Sequence, residues 1–269
     1  MRLFVTGLGG YLARAVAVAA PGGVAVCGTV RESPAPAGTR SFRVDVRDAA
    51  AVGSALDDAR PDAVIHTAYV QGGGEERSIN VDGAGVVARA CAARGLRLVH
   101  LSSDAIFAGD LGRPLREEDP PSPMTAYGAT KAEAEAVVAA AHPGAVLVRT
   151  SLIYGGAEPS NHERRALDPA LTFYDDEIRS PVAAPDLAAA VIELAGQPEI
   201  AGPLHVAGAD AVSRLAFARL VVGARGGDGG AVRGGPHPPG RPGDCALDCS
   251  RAAGLLGVRL RGVREVLGA

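Results

Sequence analysis

A chain of 269 residues, 47% hydrophobic and 21% charged, can bury a substantial core, which excludes global disorder. Its net charge of −3 comes without a dense basic stripe, so nothing calls for a nucleic-acid partner. No apolar run approaches the ~20 residues that span a bilayer, and the opening MRLFVTG reads as a strand rather than a leader, so the expected setting is cytoplasmic with no membrane partner.

Strand-like and helix-like segments alternate through residues 1–155. Strands are expected at 2–6, 24–30, 63–66, 97–102 and 145–150, and helices at 11–20, 49–59, 82–94 and 126–141. Gly95 is a suitable stop for the third helix, and His142-Pro143-Gly144 for the fourth. The strands are continuously apolar, as in a parallel sheet covered on both faces. The expected fold class is therefore α/β, a Rossmann-type doubly wound parallel sheet. Beyond it, 185–194 and 214–222 read as helices, 202–207 as a strand, and 250–267 as helix, turn and helix. The glycine- and proline-rich stretch 223–244 reads as a mobile loop.

The first strand runs into Thr6-Gly7-Leu8-Gly9-Gly10-Tyr11-Leu12-Ala13, which opens the first helix. This is the context a dinucleotide turn requires. Gly7 permits the tight turn, Gly10 lets backbone amides approach a pyrophosphate at the positive helix end, and Ala13 allows close helix–strand packing. The second strand ends in Arg31, whose planar fork suits a 2′-phosphate. The cofactor reading is NADP, with NAD left open by the neighbouring Glu32.

Tyr127-Gly128-Ala129-Thr130-Lys131 places a phenol and an ammonium four residues apart on one helix face. Lys131 is the only lysine in the chain, the other 26 basic residues being arginine. A neighbouring ammonium is expected to lower the tyrosine pKa, so that Tyr127 exchanges a proton with a carbonyl oxygen. Ser103 follows an inner strand, where loops line the ligand crevice, and its hydroxyl suits the same carbonyl. Arg179 precedes a helix near that crevice and is a phosphate candidate. Asp186 reads as the cap of its helix. Cys245 and Cys249 lack a second pair of ligands, so no metal is expected.

Taken together, TGLGGYLA at 6–13, HTAY at 66–69, Asn80, SSDAIF at 102–107, YGATK at 127–131 and RTSLIYG at 149–155 resemble the extended short-chain dehydrogenase/reductase family. With SSDAIFAGD and the tail RPGDCALD at 241–248, the chain is most similar within it to dTDP-4-dehydrorhamnose reductases. Ser103 stands where those reductases carry threonine, and His66 where asparagine is usual. The resemblance implies a dinucleotide-binding core over 1–155 and a small substrate-binding region over 156–269 that returns elements to the core. It implies Ser103, Tyr127 and Lys131 as catalytic residues, and Gly7, Gly10, Tyr11 and Leu12 around the cofactor phosphates. Arg31 would select NADP, Asp45 and Val46 would flank the adenine, and Ala68 and Tyr69 would line the cofactor. Lys131 would also hold the nicotinamide ribose, and Asp104 would face the substrate. The implied activity is NADPH-dependent reduction of a keto group, most simply on a 4-keto-deoxy sugar nucleotide. An NAD-retaining epimerase and a non-catalytic nucleotide-binding subunit stay open as alternatives, as does a homodimer.

Overall fold

The computed structural model of the chain describes residues 1–268. Its centre is a seven-stranded sheet in which every pairing is parallel. In chain order β1 is Arg2–Thr6, α1 Tyr11–Ala19, β2 Ala25–Val30, β3 Arg40–Arg43, α2 Ala49–Ala59 and β4 Ala63–His66. A π-helical turn, Ser78–Gly83, leads into α3 (Ala84–Ala92), followed by β5 (Arg97–Ser103), α4 (Ala126–Ala141) and β6 (Val146–Thr150). Next come β7 (Ile153–Tyr154), α5 (Asn161–Ala166), β8 (Phe173–Tyr174), β9 (Ile178–Arg179), β10 (Val182–Ala183) and α6 (Ala184–Ala195). The chain ends with β11 (Gly202–His205), β12 (Val212–Ser213), α7 (Arg214–Ala224), β13 (Gly234–Gly235), α8 (Ser250–Leu255) and α9 (Val263–Leu267).

The strand order is β11-β6-β5-β4-β1-β2-β3, so the order reverses beside β1. In open α/β sheets that reversal opens a crevice at the carboxyl ends of the strands. The Rossmann-type expectation is met. One core layer packs Leu3, Val5, Val99 and Val148 against α1 and α6. The other packs Phe4, Val64, Leu98 and Leu147 against α2, α3 and α4. The sheet is thus covered on both faces, which is why its inner strands are largely apolar without alternation.

Two expectations need correction, and one strand adds to those expected: the edge strand β3, whose sequence RSFR is half charged and mostly exposed and so carries no apolar run. The stretch 223–244 is not a structureless loop: Gly234–Gly235 pairs with Phe173–Tyr174, and Arg241 is held by Glu177 at 2.9 Å. Asp186 does not cap α6; its carboxylate accepts from the Arg261 guanidinium at 2.7 Å and from the Arg261 backbone at 3.1 Å. This anchors the C-terminal segment; the N-cap position of α6 falls to Ala183, and Asp186 stands inside the first turn with its carboxylate turned to Arg261.

Candidate active site

β1 ends at Thr6 and the chain turns through Gly7, whose φ of +69° lies in the left-handed region that favours glycine. Gly10 precedes α1 and supplies no side-chain cap, which leaves the first amides of the helix to face an anion. The turn is tied to β2 by Leu8 N–H donating to Thr29 O at 2.7 Å and Gly7 N–H to Thr29 Oγ1 at 3.1 Å. A Cβ on Gly9 would stand 2.5 Å from the Ser33 carbonyl oxygen, so the turn sits directly on the segment after β2. Gly7, Gly10, Arg31, Asp45, Val46, Ala68 and Tyr69 all line one groove here.

The chemistry of that groove suits a dinucleotide. Val46, Ala68, Val70 and Ile79 give it an apolar wall for a flat base. The glycine backbone leaves room for a phosphate pair, and charged groups ring the mouth. Arg31 pairs with Glu32 at 3.1 Å and Glu75 at 3.5 Å, while Arg47 bridges Asp45 at 2.6 Å and Glu75 at 2.8 Å. Hydrogen bonding to Arg47 holds the Asp45 carboxyl below its ordinary range. The side chains of Tyr11 and Leu12 lie elsewhere: Leu12 is buried in the core and Tyr11 reaches to Gly156 and Glu163.

The second half of the site is built on α4. Thr125 caps the helix by accepting from Gly128 N–H at 3.0 Å. A Cβ on Gly128 would lie 2.0 Å from the Ala105 carbonyl oxygen. Only glycine lets α4 press this closely on the turn after β5, and that approach brings Tyr127 beside Ser103. The Tyr127 and Tyr69 rings lie 5.9 Å apart, joining this half to the groove. Ser103 Oγ accepts from Ala105 N–H at 3.2 Å and donates to Asp104 Oδ1 at 3.3 Å. Asn80, inside the π-helical turn, holds Val70 through both its N–H and its C=O and donates to Thr130 Oγ1 at 3.1 Å. It thereby fixes the loop carrying Tyr69 against the helix carrying Tyr127 and Lys131.

Lys131 is buried and donates to the Leu101 carbonyl. The expected lowering of the Tyr127 pKa by Lys131 is not found. Burial pushes the Tyr127 phenol well above its ordinary value, with Tyr69 and Asp104 adding to the rise and Ser103 opposing it. Burial also lowers Lys131 to about 8. Beneath it His66 and His100 stack at 5.2 Å, and burial holds both neutral, His66 at about 3. Below pH 8 the folded chain must keep a buried ammonium, whereas the unfolded chain releases that proton only near 10.5. The unfolded state therefore binds more protons between these values, and stability rises with pH across the window. The wild type is expected to gain thermal stability relative to Lys131→Met between pH 8 and about pH 10. A constant difference in melting temperature between the two proteins would contradict this.

Below Ser103 lies a buried charge network. Asp104 accepts from Ser151 Oγ at 2.6 Å and faces Arg179 at 3.6 Å. Burial raises the Asp104 carboxyl, and Arg179 opposes that rise. Arg179 also contacts Glu177 at 3.1 Å and donates to the Gly243 carbonyl at 2.8 Å. Glu177 in turn meets Arg241 at 2.8 Å and Arg214 at 3.9 Å. Asp104 and Arg179 thus sit together in the floor of the site, both about 5% exposed. Arg241 is the open member of the set and stacks 4.8 Å over the Tyr174 ring.

A family model described as "RmlD substrate binding domain" matches residues 1–269. The chain belongs to this family. It is 32% identical over 286 residues to a dTDP-4-dehydrorhamnose reductase of Mycolicibacterium smegmatis, covering 99% of this chain and 84% of the relative. It is 29% identical over 310 residues to methionine adenosyltransferase 2 subunit beta of Bos taurus, covering 99% of this chain and 87% of that one. Among solved structures, a hypothetical dTDP-4-dehydrorhamnose reductase from Sulfolobus tokodaii shares 26% identity at a TM-score of 0.82, covering 97% of both chains. The resemblance to dTDP-4-dehydrorhamnose reductases drawn from the motifs is borne out.

In this RmlD-family chain, several site residues carry no signal that sequence reasoning can use alone. Glu177 sits in an acidic run, DDE, and only the fold brings Arg179, Arg214 and Arg241 around it. Arg47 is one surface arginine among many until its pairing with Asp45 and Glu75 is seen. Gly128 lies inside the YGATK motif, where Tyr127 and Lys131 draw the attention. Its contact with Ala105 appears only in three dimensions.

Proposed function

We propose that the chain is an NADPH-dependent reductase that converts the 4-keto group of a nucleotide-linked deoxy sugar, of the dTDP-4-dehydrorhamnose kind, to the alcohol. The observation that carries this is the meeting of two halves: a dinucleotide groove and a Tyr127–Ser103 pair share one wall at Tyr69. NADPH, when bound, supplies the hydride that reduces the carbonyl carbon. Gly7 and Gly10 hold the phosphates, Arg31 the 2′-phosphate, Asp45 and Val46 the adenine, and Ala68 and Tyr69 the remainder of the cofactor. Tyr127 gives its proton to the ketone oxygen as negative charge builds there. Ser103 donates a hydrogen bond to the same oxygen and keeps it against the phenol. Lys131 holds the nicotinamide ribose. On the substrate side the open Arg241 suits a diphosphate. Arg179, expected as a phosphate ligand, is instead buried, with its guanidinium taken up by Asp104, Glu177 and the Gly243 carbonyl, and braces the floor beneath it. Asp104, expected to face substrate, anchors Arg179 and the Ser103 hydroxyl.

The test is cofactor consumption by the purified chain with dTDP-4-dehydrorhamnose, with NADPH and NADH compared and Arg31→Ala run alongside. NADPH oxidation dependent on the keto sugar is expected. Removing Arg31 should raise the KM for NADPH by roughly 10- to 100-fold, the loss of one charge-assisted contact, and leave NADH little affected. An unchanged preference in Arg31→Ala would remove Arg31 from cofactor selection. A second reading, a nucleotide-binding subunit of another enzyme, rests on the likeness to the methionine adenosyltransferase subunit. It requires NADPH binding without turnover on any keto sugar nucleotide.

A further inference from the structure

One side chain joins the glycine turn to the loop that follows β7. Tyr11 is the first residue of α1, directly after Gly10. Its Oη accepts from Gly156 N–H at 2.7 Å and donates to Glu163 Oε2 at 3.3 Å. That carboxylate oxygen also accepts from Gly155 N–H at 3.2 Å and Ser160 N–H at 2.8 Å. A Cβ on Gly156 would stand 2.9 Å from Tyr11 Oη and 3.0 Å from Cζ, so the ring lies against this backbone. Ser160 closes the motif by capping Glu163 N–H at 3.2 Å. Glu163 and Ser160 are each 4% exposed, so water does not compete freely for these bonds. Burial, with the Glu163 charge adding to it, pushes the Tyr11 phenol up to about 12, and the hydroxyl keeps its proton as a donor.

The contacts continue outward. Glu163 Oε1 meets Arg225 at 3.7 Å, just past the end of α7, and α5 packs on α7. Arg214 opens α7 and faces Glu177, the carboxylate that gathers Arg179 and Arg241. A continuous set of packed groups therefore runs from the cofactor turn to the arginines on the substrate side.

We propose that Tyr11 is a positioning residue that couples the two binding sites. The backbone of the glycine turn settles on the cofactor phosphates. Tyr11 carries that setting to residues 155–163, and α5 and α7 then hold the arginine cluster ready for a nucleotide diphosphate. The identity of the two ligands rests on the function proposed above; the connection itself rests on the Tyr11 contacts. Neither the glycine motif nor the Ser103–Tyr127–Lys131 set requires a hydroxyl at position 11.

Hydrogen exchange on the full chain, with and without NADP⁺, tests this. In the wild type, NADP⁺ should slow exchange of the amides of 155–163 by at least about fivefold, and should tighten dTDP binding by roughly 5- to 10-fold. Tyr11→Phe keeps the backbone amide at the helix start, so NADP⁺ still binds. In that variant the protection of 155–163 and the gain in dTDP affinity should both vanish, and KM for the sugar nucleotide should rise more than kcat falls. Glu163→Gln keeps an acceptor oxygen for Tyr11 but loses the ion pair to Arg225, so the protection of 155–163 should persist while the gain in dTDP affinity falls. Exchange elsewhere in the sheet serves as the check on folding. If Tyr11→Phe shows the same protection and the same dTDP gain as the wild type, the coupling is overturned. NADP⁺ binding by the wild type with no protection of 155–163 overturns it as well. Absence of NADP⁺ binding in the wild type overturns the reading of the groove itself.

Discussion

Tyr127→Phe is expected to lower kcat by a factor of about 10²–10⁴ while leaving NADPH affinity unchanged, the signature of a lost proton donor rather than a lost binding contact. The substitution removes one oxygen. The aromatic ring stays, held beside Tyr69 at 5.9 Å by the Thr125 cap and the close approach at Gly128. Melting temperature should therefore hardly move. The raised pKa gives the prediction its direction: a buried phenol keeps its proton at neutral pH, so the site is set as an acid for reduction. Single-turnover measurement of NADPH oxidation isolates the chemical step. A rate within about tenfold of the wild type would take Tyr127 out of the proton transfer, since one general acid is worth more than that.

The second large effect is one of stability. Glu177 is 2% exposed and stands against three guanidinium groups, those of Arg179, Arg214 and Arg241. Glu177→Ala leaves buried positive charge without its counterion, which costs about 3–5 kcal/mol. For a chain of this size that is a fall in melting temperature of roughly 10 °C. The loss should concentrate outside the sheet, in β9, α7 and the 241–245 segment, where those arginines are anchored. Glu177→Gln retains an acceptor and should lose less. Thermal melts of the three proteins decide it, and an Ala variant as stable as the wild type would show that Asp104 alone balances the cluster.

The fold was legible where one local rule governs a segment. The non-alternating, largely apolar strands at 2–6, 63–66 and 97–102 need two covered faces, and that requirement points to a parallel sheet. The glycine turn is similarly local: Gly7 and Gly10 act through their own backbone, so their positions can be read from spacing. Legibility ends where a property depends on distant partners. The Tyr127 pKa follows from how deeply the fold buries the phenol, and the ammonium four residues away engages the Leu101 carbonyl. The glycine-rich 223–244 stretch acquires order because the Gly234 backbone lies against the Leu215 side chain and pairs with Phe173. No local composition rule anticipates a strand of two glycines.

Among the described residues, α6 packs on α1 and β11 completes the sheet beside β6, although both lie in the chain between Arg179 and the other two arginines of the cluster, Arg214 and Arg241. The chain thus leaves the core after β6, returns for residues 184–205, and leaves again. This interleaving has an evolutionary consequence. The two excursions, 155–183 and 208–249, can drift toward new sugars one loop at a time. The returning pair cannot drift with them, because Leu187, Val191 and Leu204 belong to the same apolar layer as β1. Nor can the outer part be exchanged wholesale as a cassette, since cutting it away would strip α6 from α1 and expose the β6 edge. Diversification on this scaffold is therefore expected to proceed by point substitution and loop-length change rather than by domain shuffling.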